Sequence, residues 1–331
     1  MQKRYSTLYK YSYAERTYIM KNAQEMQMTN SMHHGNVYEI KDETGQAKMT
    51  GYAVYPGITL MYLDIHMPYL DCEARPMPDV FAINHCEEGR IECNFHNGEY
   101  LYMGKGDMSV GWRRRSAYCH KSFFPSSHYH GVTILLSLPQ AQEALDRQLG
   151  KKVIDLECMS RRFCRHTDFA AIMQEDEKLK HLFYELYHVP ESIKKQYFRI
   201  KLLEILLFFS TIEEIPAEKR ETFTLQQVNI VKEIQWELTK NMKRKFTIEE
   251  LAKKHGIAPT TLKKCFKGVY GSTLSQYIKE YRISKAKQLL LNTQDSIMEI
   301  ANYVGYENSS KFAVAFQKLT GQLPGEYRRS C

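Results

Sequence analysis

Two hydrophobic periods divide the chain. From about residue 30 to 137, short β-rich runs alternate with turn signals, and after Pro139 the apolar positions recur at helical spacing. The runs Gly51–Tyr55, Gly57–Ile65, Val80–His85, Arg90–Phe95, Glu99–Met103, Met108–Gly111 and Val132–Leu138 read as strands. Between them stand Tyr55-Pro56-Gly57, Glu88-Gly89, Asn97-Gly98 and Gly104-Lys105-Gly106-Asp107. Many short strands at near-regular spacing predict a sandwich or small barrel. The clearest hairpin joins Arg90–Phe95 to Glu99–Met103 around Asn97-Gly98.

The helical region begins with a segment from Asp168 to His188, followed by Pro190, a residue suited to the first turn of the next helix. Ile193, Tyr197, Ile200, Leu203 and Leu207 then fall in steps of four, three, three and four, one apolar stripe on a helix of about five turns. Such a stripe packs either inside its own subunit or against a second copy. The run Leu206-Leu207-Phe208-Phe209 adds more apolar surface than one thin layer hides, which tilts the reading toward a dimerisation segment over 141–212. The charged stretch from Glu213 to Arg220, broken at Pro216, marks a linker over 213–222. Residues 1–140 are then a β-rich unit and 223–331 a separate helical one.

The last third repeats itself. Ile248, Leu251, Ala252 and Gly256 each precede Ile297, Ile300, Ala301 and Gly305 by 49 residues. After one inserted residue, Leu262, Phe266 and Gly271 match Phe312, Phe316 and Gly321. Self-similarity of this kind marks a duplicated supersecondary unit. Thr247, with Glu250 three residues on, predicts a capping box at the start of a short helix. Small Ala252 lets a second helix approach, and Gly256 supplies a left-handed residue to end the first. Ile257 plugs the turn and Pro259 starts the second helix. The result is a helix-turn-helix near 247–271. Its copy, near 296–321, runs from Ser296 through Gly305 to a helix capped by Asn308.

Composition narrows the class. A chain of 331 residues suggests two domains, or three small modules. Its 43% hydrophobic and 25% charged residues exclude disorder, collagen and a coiled-coil rod. No run reaches the roughly 18 apolar residues of a membrane span, and the first residues lack the apolar core of a secretory signal. Eight cysteines without a C-x-x-C pair then read as free thiols of a cytoplasmic protein. Charge is uneven: residues 1–220 hold 28 basic and 28 acidic side chains, whereas 221–331 hold 18 and 10. The basic third carries the whole net charge of +8, as expected of a module that meets a polyanion, although lysines that merely solvate helices would give the same sum.

From about 225 to 329 the chain closely resembles the DNA-binding domain of the AraC/XylS family of bacterial transcription regulators. The resemblance rests on Ile248-x-x-Leu251-Ala252, Gly256, Leu262, Phe266-Lys267 and Gly271, then on Tyr281-Arg282, Ala286 and Leu289-Leu290. It continues through Ile297, Ile300-Ala301, Gly305-Tyr306, Phe312, Phe316, Gly321, Pro324 and Tyr327-Arg328. It implies an all-α domain of seven helices. The fourth, about Thr273–Leu291, joins two units whose recognition helices enter successive major-groove segments. It further implies double-stranded DNA as partner, RNA polymerase if the protein activates, and a homodimer.

Helical geometry sorts the faces. On the first recognition helix Leu262, Cys265, Phe266 and Val269 point inward, leaving Thr260, Lys263, Lys264 and Lys267 outward. Lysine can donate to guanine O6 and N7, and threonine can touch a thymine methyl; phosphate neutralisation is the alternative, strongest for Lys267. On the second, Phe312, Phe316 and Leu319 point inward, with Ser310, Ala313, Val314 and Gln317 outward and Lys311 and Lys318 flanking. Related proteins often carry Arg where Val314 stands, so the first unit is expected to supply most sequence specificity. Arg282 lies on an apolar stripe and is read as bonding nearby carbonyls.

Relatives of this architecture often carry an N-terminal cupin-like β-barrel that binds a small effector, and the strand-rich front is similar to it. The fold expected is therefore α+β and multidomain. Gly106-Asp107 resembles a cupin turn, and His128-x-His130 resembles a metal-ligand pair. The acidic residue expected next is missing from Gly131 to Leu138, so no metal and no cofactor are expected. Trp112, His128 and His130 are kept as candidate contacts for an organic effector; Arg113-Arg114-Arg115 reads as a solvated loop. No nucleophile motif or phosphate loop supports catalysis. Two alternatives to an effector-responsive activator stand: a cupin-type metal-dependent enzyme tethered to DNA, or a ligand-independent regulator acting through protein partners.

Overall fold

The computed structural model describes residues 26–31, 35–71, 80–94, 99–112, 121–164, 170–213 and 221–330. The chain divides into two compact units, Met1–Thr222 and Phe223–Cys331. Among the described residues no helix is long and apolar enough to cross a membrane.

Strands come first: β1 (Met26–Ser31), β2 (Gly35–Asp42), β3 (Gly45–Tyr55), β4 (Ile58–His66), β5 (Tyr69–Asp71), β6 (Val80–Gly89), β7 (Ile91–Asn94), β8 (Glu99–Met103), β9 (Asp107–Trp112), β10 (Lys121–Phe123) and β11 (Tyr129–Ser137). They lead into α1 (Leu138–Leu149), α2 (Leu156–Phe163), β12 (Ala170–Gln174), α3 (Glu177–Tyr187) and α4 (Lys194–Thr211). Eight strands make one sheet in the order β1-β2-β3-β4-β11-β6-β9-β12. Strand alternation sends Ile58, Leu60, Phe81, Ile83, Val132, Ile134 and Leu136 to one face, where α1 to α4 cover them with Leu145, Phe163, Phe183, Phe198 and Leu202. A second buried cluster gathers Ile40, Met49, Ile65, Cys86, Phe124 and Tyr129.

Four expectations change here. The sheet ends at β1 and β12, and no ladder among the described residues joins them, so no closed barrel forms. The segment expected as one helix from Asp168 to His188 is split: Ala170–Gln174 pairs with β9, Ala171 opposite Val110, and the helix starts only at Glu177. Asp176 caps that helix by accepting from Leu179 N at 2.8 Å. On α4 the buried face carries Phe198, Leu202, Ile205, Leu206 and Phe209, rotated from the expected stripe. Ile193 and Ile200 are 48% and 68% exposed instead. The helices of 141–212 also share one core with the sheet rather than standing apart from it. The hairpin strands do pair, Ile91 opposite Met103; its Asn97-Gly98 turn, Arg113 to Arg115 and linker residues 214–220 lie outside the described residues.

The second unit is helical: α5 (Leu225–Lys240), α6 (Ile248–His255), α7 (Pro259–Tyr270), α8 (Leu274–Asn292), α9 (Ile297–Tyr303), α10 (Ser309–Thr320) and α11 (Pro324–Ser330). Together with the sheet this makes the chain α+β.

Candidate nucleic-acid interface

The sequence repeat is a repeat of hydrogen bonds. Ile257 N donates to Ala252 O at 3.0 Å and, 49 residues on, Tyr306 N donates to Ala301 O at 2.9 Å, closing both turns alike. Gly271 N to Lys267 O and Gly321 N to Gln317 O, each 2.8 Å, end both second helices. Thr247 Oγ1 accepts from Glu250 N at 3.1 Å and Ser296 Oγ from Glu299 N at 3.2 Å. Only the second start is a full capping box, because Glu299 reaches back to Ser296 N at 2.7 Å. The box expected at Thr247 is half-made: the Glu250 carboxylate turns to Arg244.

Helix α8 ties the two helix-turn-helices together. Its first half packs on the first of them, with the Tyr277 ring centroid 5.5 Å from that of Phe266 and 4.9 Å from that of Tyr270. Its second half gives Ile283, Ala286 and Leu290 to the core around Phe312 and Phe316. Between them Arg282 donates to Met242 O and lies 5.8 Å from the Tyr306 ring, the carbonyl-bonding role expected of it.

Two faces remain for a partner. On α7, Leu262, Cys265, Phe266 and Val269 are buried, and Thr260, Lys263, Lys264 and Lys267 are exposed. On α10, Phe312 and Phe316 are buried and Ser310, Lys311, Val314, Gln317 and Lys318 are exposed. A side chain without a donor or acceptor, Val314, stands 68% exposed in the middle of that face.

The family model for a helix-turn-helix domain matches residues 251–330. The bifunctional transcriptional activator/DNA repair enzyme AdaA of Bacillus subtilis is 37% identical over 92 residues, 28% of this chain and 44% of AdaA. The HTH-type transcriptional activator RhaR of Salmonella schwarzengrund is 28% identical over 116 residues, 35% of this chain and 39% of RhaR. The chain thus spans less than half the length of either relative. Among solved structures, the C-terminal domain of AraT, a response regulator from Geobacillus stearothermophilus, is 32% identical, covering 31% of this chain and 85% of that one at a TM-score of 0.30. The C-terminal unit belongs to the AraC family.

Within this AraC-type unit one inward position fails. Leu319, expected inside, is 42% exposed. Ala315 and Tyr327 close that side of the core instead, with the Tyr327 ring 5.5 Å from Phe316.

The front unit does not gather its three candidate residues. Trp112 lies opposite Phe81 on β6, its ring edge-on at 5.6 Å, whereas His130 lies opposite Glu88. Those partners are seven residues apart on β6, about 20 Å along a strand. His130 meets the Tyr187 ring at 5.1 Å, and His128 turns to Glu88 and His66. A buried network was not anticipated. His85, 1% exposed, has Nε2 2.7 Å from Glu175 Oε2 and Nδ1 3.0 Å from Tyr187 Oη, and stacks on Phe183 at 4.2 Å. Burial lowers its pKa against the opposing pull of Glu175, so the neutral ring donates to the carboxylate and accepts from the phenol. Its partners lie 90 and 102 residues away, and no local pattern could signal them.

Proposed function

We propose that the chain is a cytoplasmic, homodimeric bacterial transcription regulator that binds double-stranded DNA through α7 and α10. The observation that carries this reading is the duplicated helix-turn-helix with Thr260, Lys263, Lys264 and Lys267 on one exposed face. Recognition helices enter the major groove, where lysine and threonine read base edges and flanking lysines neutralise phosphates. Both named relatives are called activators, which supports an activating role exerted through RNA polymerase. AdaA is also called a DNA repair enzyme, but this chain covers only 44% of it and the family model matches the helix-turn-helix region, so the reading is a non-enzymatic regulator.

The front unit is the effector sensor in this reading, a cupin-like variant with an open sheet. An organic effector would meet His130 beside Tyr187 and Tyr62, with Trp112 a separate contact at the other end. Exposed Ile193 at the entry to α4, with Ile200 and Leu207 on the helix at seven-residue steps, supplies a seam for a second copy. The deciding experiment is selection of bound sequences from a random DNA library by the purified full chain, followed by binding at rising salt. A bipartite consensus whose affinity falls steeply with salt is expected; binding without any sequence preference would overturn the reading.

A further inference from the structure

At one end of the sheet three neighbouring strands bring two histidines together. His66 ends β4, His128 stands directly before β11, and Glu88 lies near the end of β6; the sheet order there is β4-β11-β6. His66 Nε2 is 2.9 Å from Asp64 Oδ1, and His128 Nε2 is 3.0 Å from Glu88 Oε2. The two Nδ1 atoms face one another at 3.3 Å. The rings are splayed, 34° apart with centroids at 5.0 Å, so the nitrogens meet and the faces do not stack.

The backbone around His128 is held by close contacts. Its carbonyl accepts from Ser126 Oγ at 2.9 Å. Gly89 has φ +81, and a Cβ there would lie 1.9 Å from that same carbonyl oxygen, so only glycine lets β6 approach so closely. Ser127, φ 52, occupies the left-handed region that residues with side chains rarely adopt. These contacts set where the His128 ring begins.

The chemistry follows from which nitrogen faces what. A ring nitrogen against a carboxylate carries its proton there, which fixes the tautomer. With both Nε2 atoms so engaged, both Nδ1 atoms present lone pairs to a gap of 3.3 Å. Facing lone pairs repel unless a positive centre lies between them. A proton on one ring supplies that centre, and so does a cation. Two nitrogens bound at 2.0–2.1 Å to a tetrahedral metal stand about 3.3–3.4 Å apart. The gap has that width.

We propose that His66 and His128 hold a divalent cation of the imidazole-preferring kind, zinc, nickel or copper, through their Nδ1 atoms. Asp64 and Glu88 orient the rings from the outer nitrogens. Among the described residues no three His, Cys, Asp or Glu side chains converge on one metal position, so the protein donates two ligands and solvent the others. The ligand pair is His66 with His128, drawn from adjacent strands, and not the H-x-H pair His128 with His130, whose second ring is turned to Tyr187. The site belongs to the first unit and the recognition helices to the second, so the proposal does not depend on their assignment.

The test is equilibrium dialysis of the full chain against Zn²⁺ alone, with circular-dichroism melts to show that each variant is folded. His66→Gln and His128→Gln should each lose one zinc equivalent relative to the unaltered chain. His130→Gln should keep it, and Glu88→Gln should keep it with roughly 10–100-fold weaker affinity. The same stoichiometry in all five proteins would overturn the proposal. Loss in His130→Gln and His128→Gln with retention in His66→Gln would overturn it in favour of the H-x-H pair. Because His66 is exposed, a folded His66→Gln chain is expected; should it melt early, His66→Asn repeats the comparison.

Discussion

The two helix-turn-helix units share a backbone and differ in everything their partner would feel. Their turns close with the same hydrogen bonds 49 residues apart, yet α7 presents three lysines and a threonine where α10 presents serine, valine and glutamine with lysines at its flanks. Their turn glycines also differ in purpose. Gly256 has φ +64 and open space around it, so it is needed only for conformation. Gly305, φ +89, lies where a Cβ would come within 2.4 Å of Met242 O, the same carbonyl that Arg282 binds. Duplication has kept the scaffold. The outer faces have diverged, one toward charge and the other toward packing.

The largest test of that comparison is the glycine pair. Gly305→Ala adds overpacking to the left-handed penalty and should destabilise the unit by about 2–5 kcal/mol. Gly256→Ala meets only the penalty, about 1–2 kcal/mol. Urea denaturation of the full chain measures both; equal losses would mean that the Met242 contact is dispensable. Next come the lysines. Lys263→Ala and Lys264→Ala should each weaken specific DNA binding by about 1–3 kcal/mol and relax base preference, while Lys311→Ala should weaken all sequences alike and reduce the salt slope by about one. Gel-shift titrations on specific and scrambled sites separate the two behaviours.

Val314 gives a smaller effect of a different kind. An apolar side chain in the major groove can contact the thymine methyl, so replacing thymine by uracil at one position of the selected site should cost about 0.5–1 kcal/mol. The Val314→Ser chain should be blind to that replacement. The smallest effect separates the helix starts. The backbone N–H of Ser296, and then its hydroxyl, hold the Glu299 carboxyl below its ordinary value. A lowered carboxyl contributes stability that is present above the unfolded pKa and is lost as pH falls through the folded one. Acid melts of the full chain should therefore show less pH dependence for Glu299→Gln than for the unaltered protein.

Legibility in the sequence followed the range of the interactions. The twin units could be read because caps, turns and inward faces are set within a few residues: Gly256, Ile257, Leu262 and Phe266 all act where their spacing put them. Leu319 misled because the helix-end core is closed by Tyr327 from the next element. On α4 apolar residues occupy more than one face, so periodicity could not say whether Phe198 or Ile200 would be buried. Ala170–Gln174 became a strand through pairing with β9, some 60 residues earlier. Whether the sheet closes, and how the His85 network forms, depends on partners still more distant. Propensity has no access to such pairings.

The most direct measurement compares the sequence preferences of the unaltered chain and of Lys263→Ala/Lys264→Ala on one randomised DNA library. The account predicts that the double variant still binds DNA and loses preference in one half of the site only, the half that carries most of the information. An unchanged consensus in both halves would contradict it.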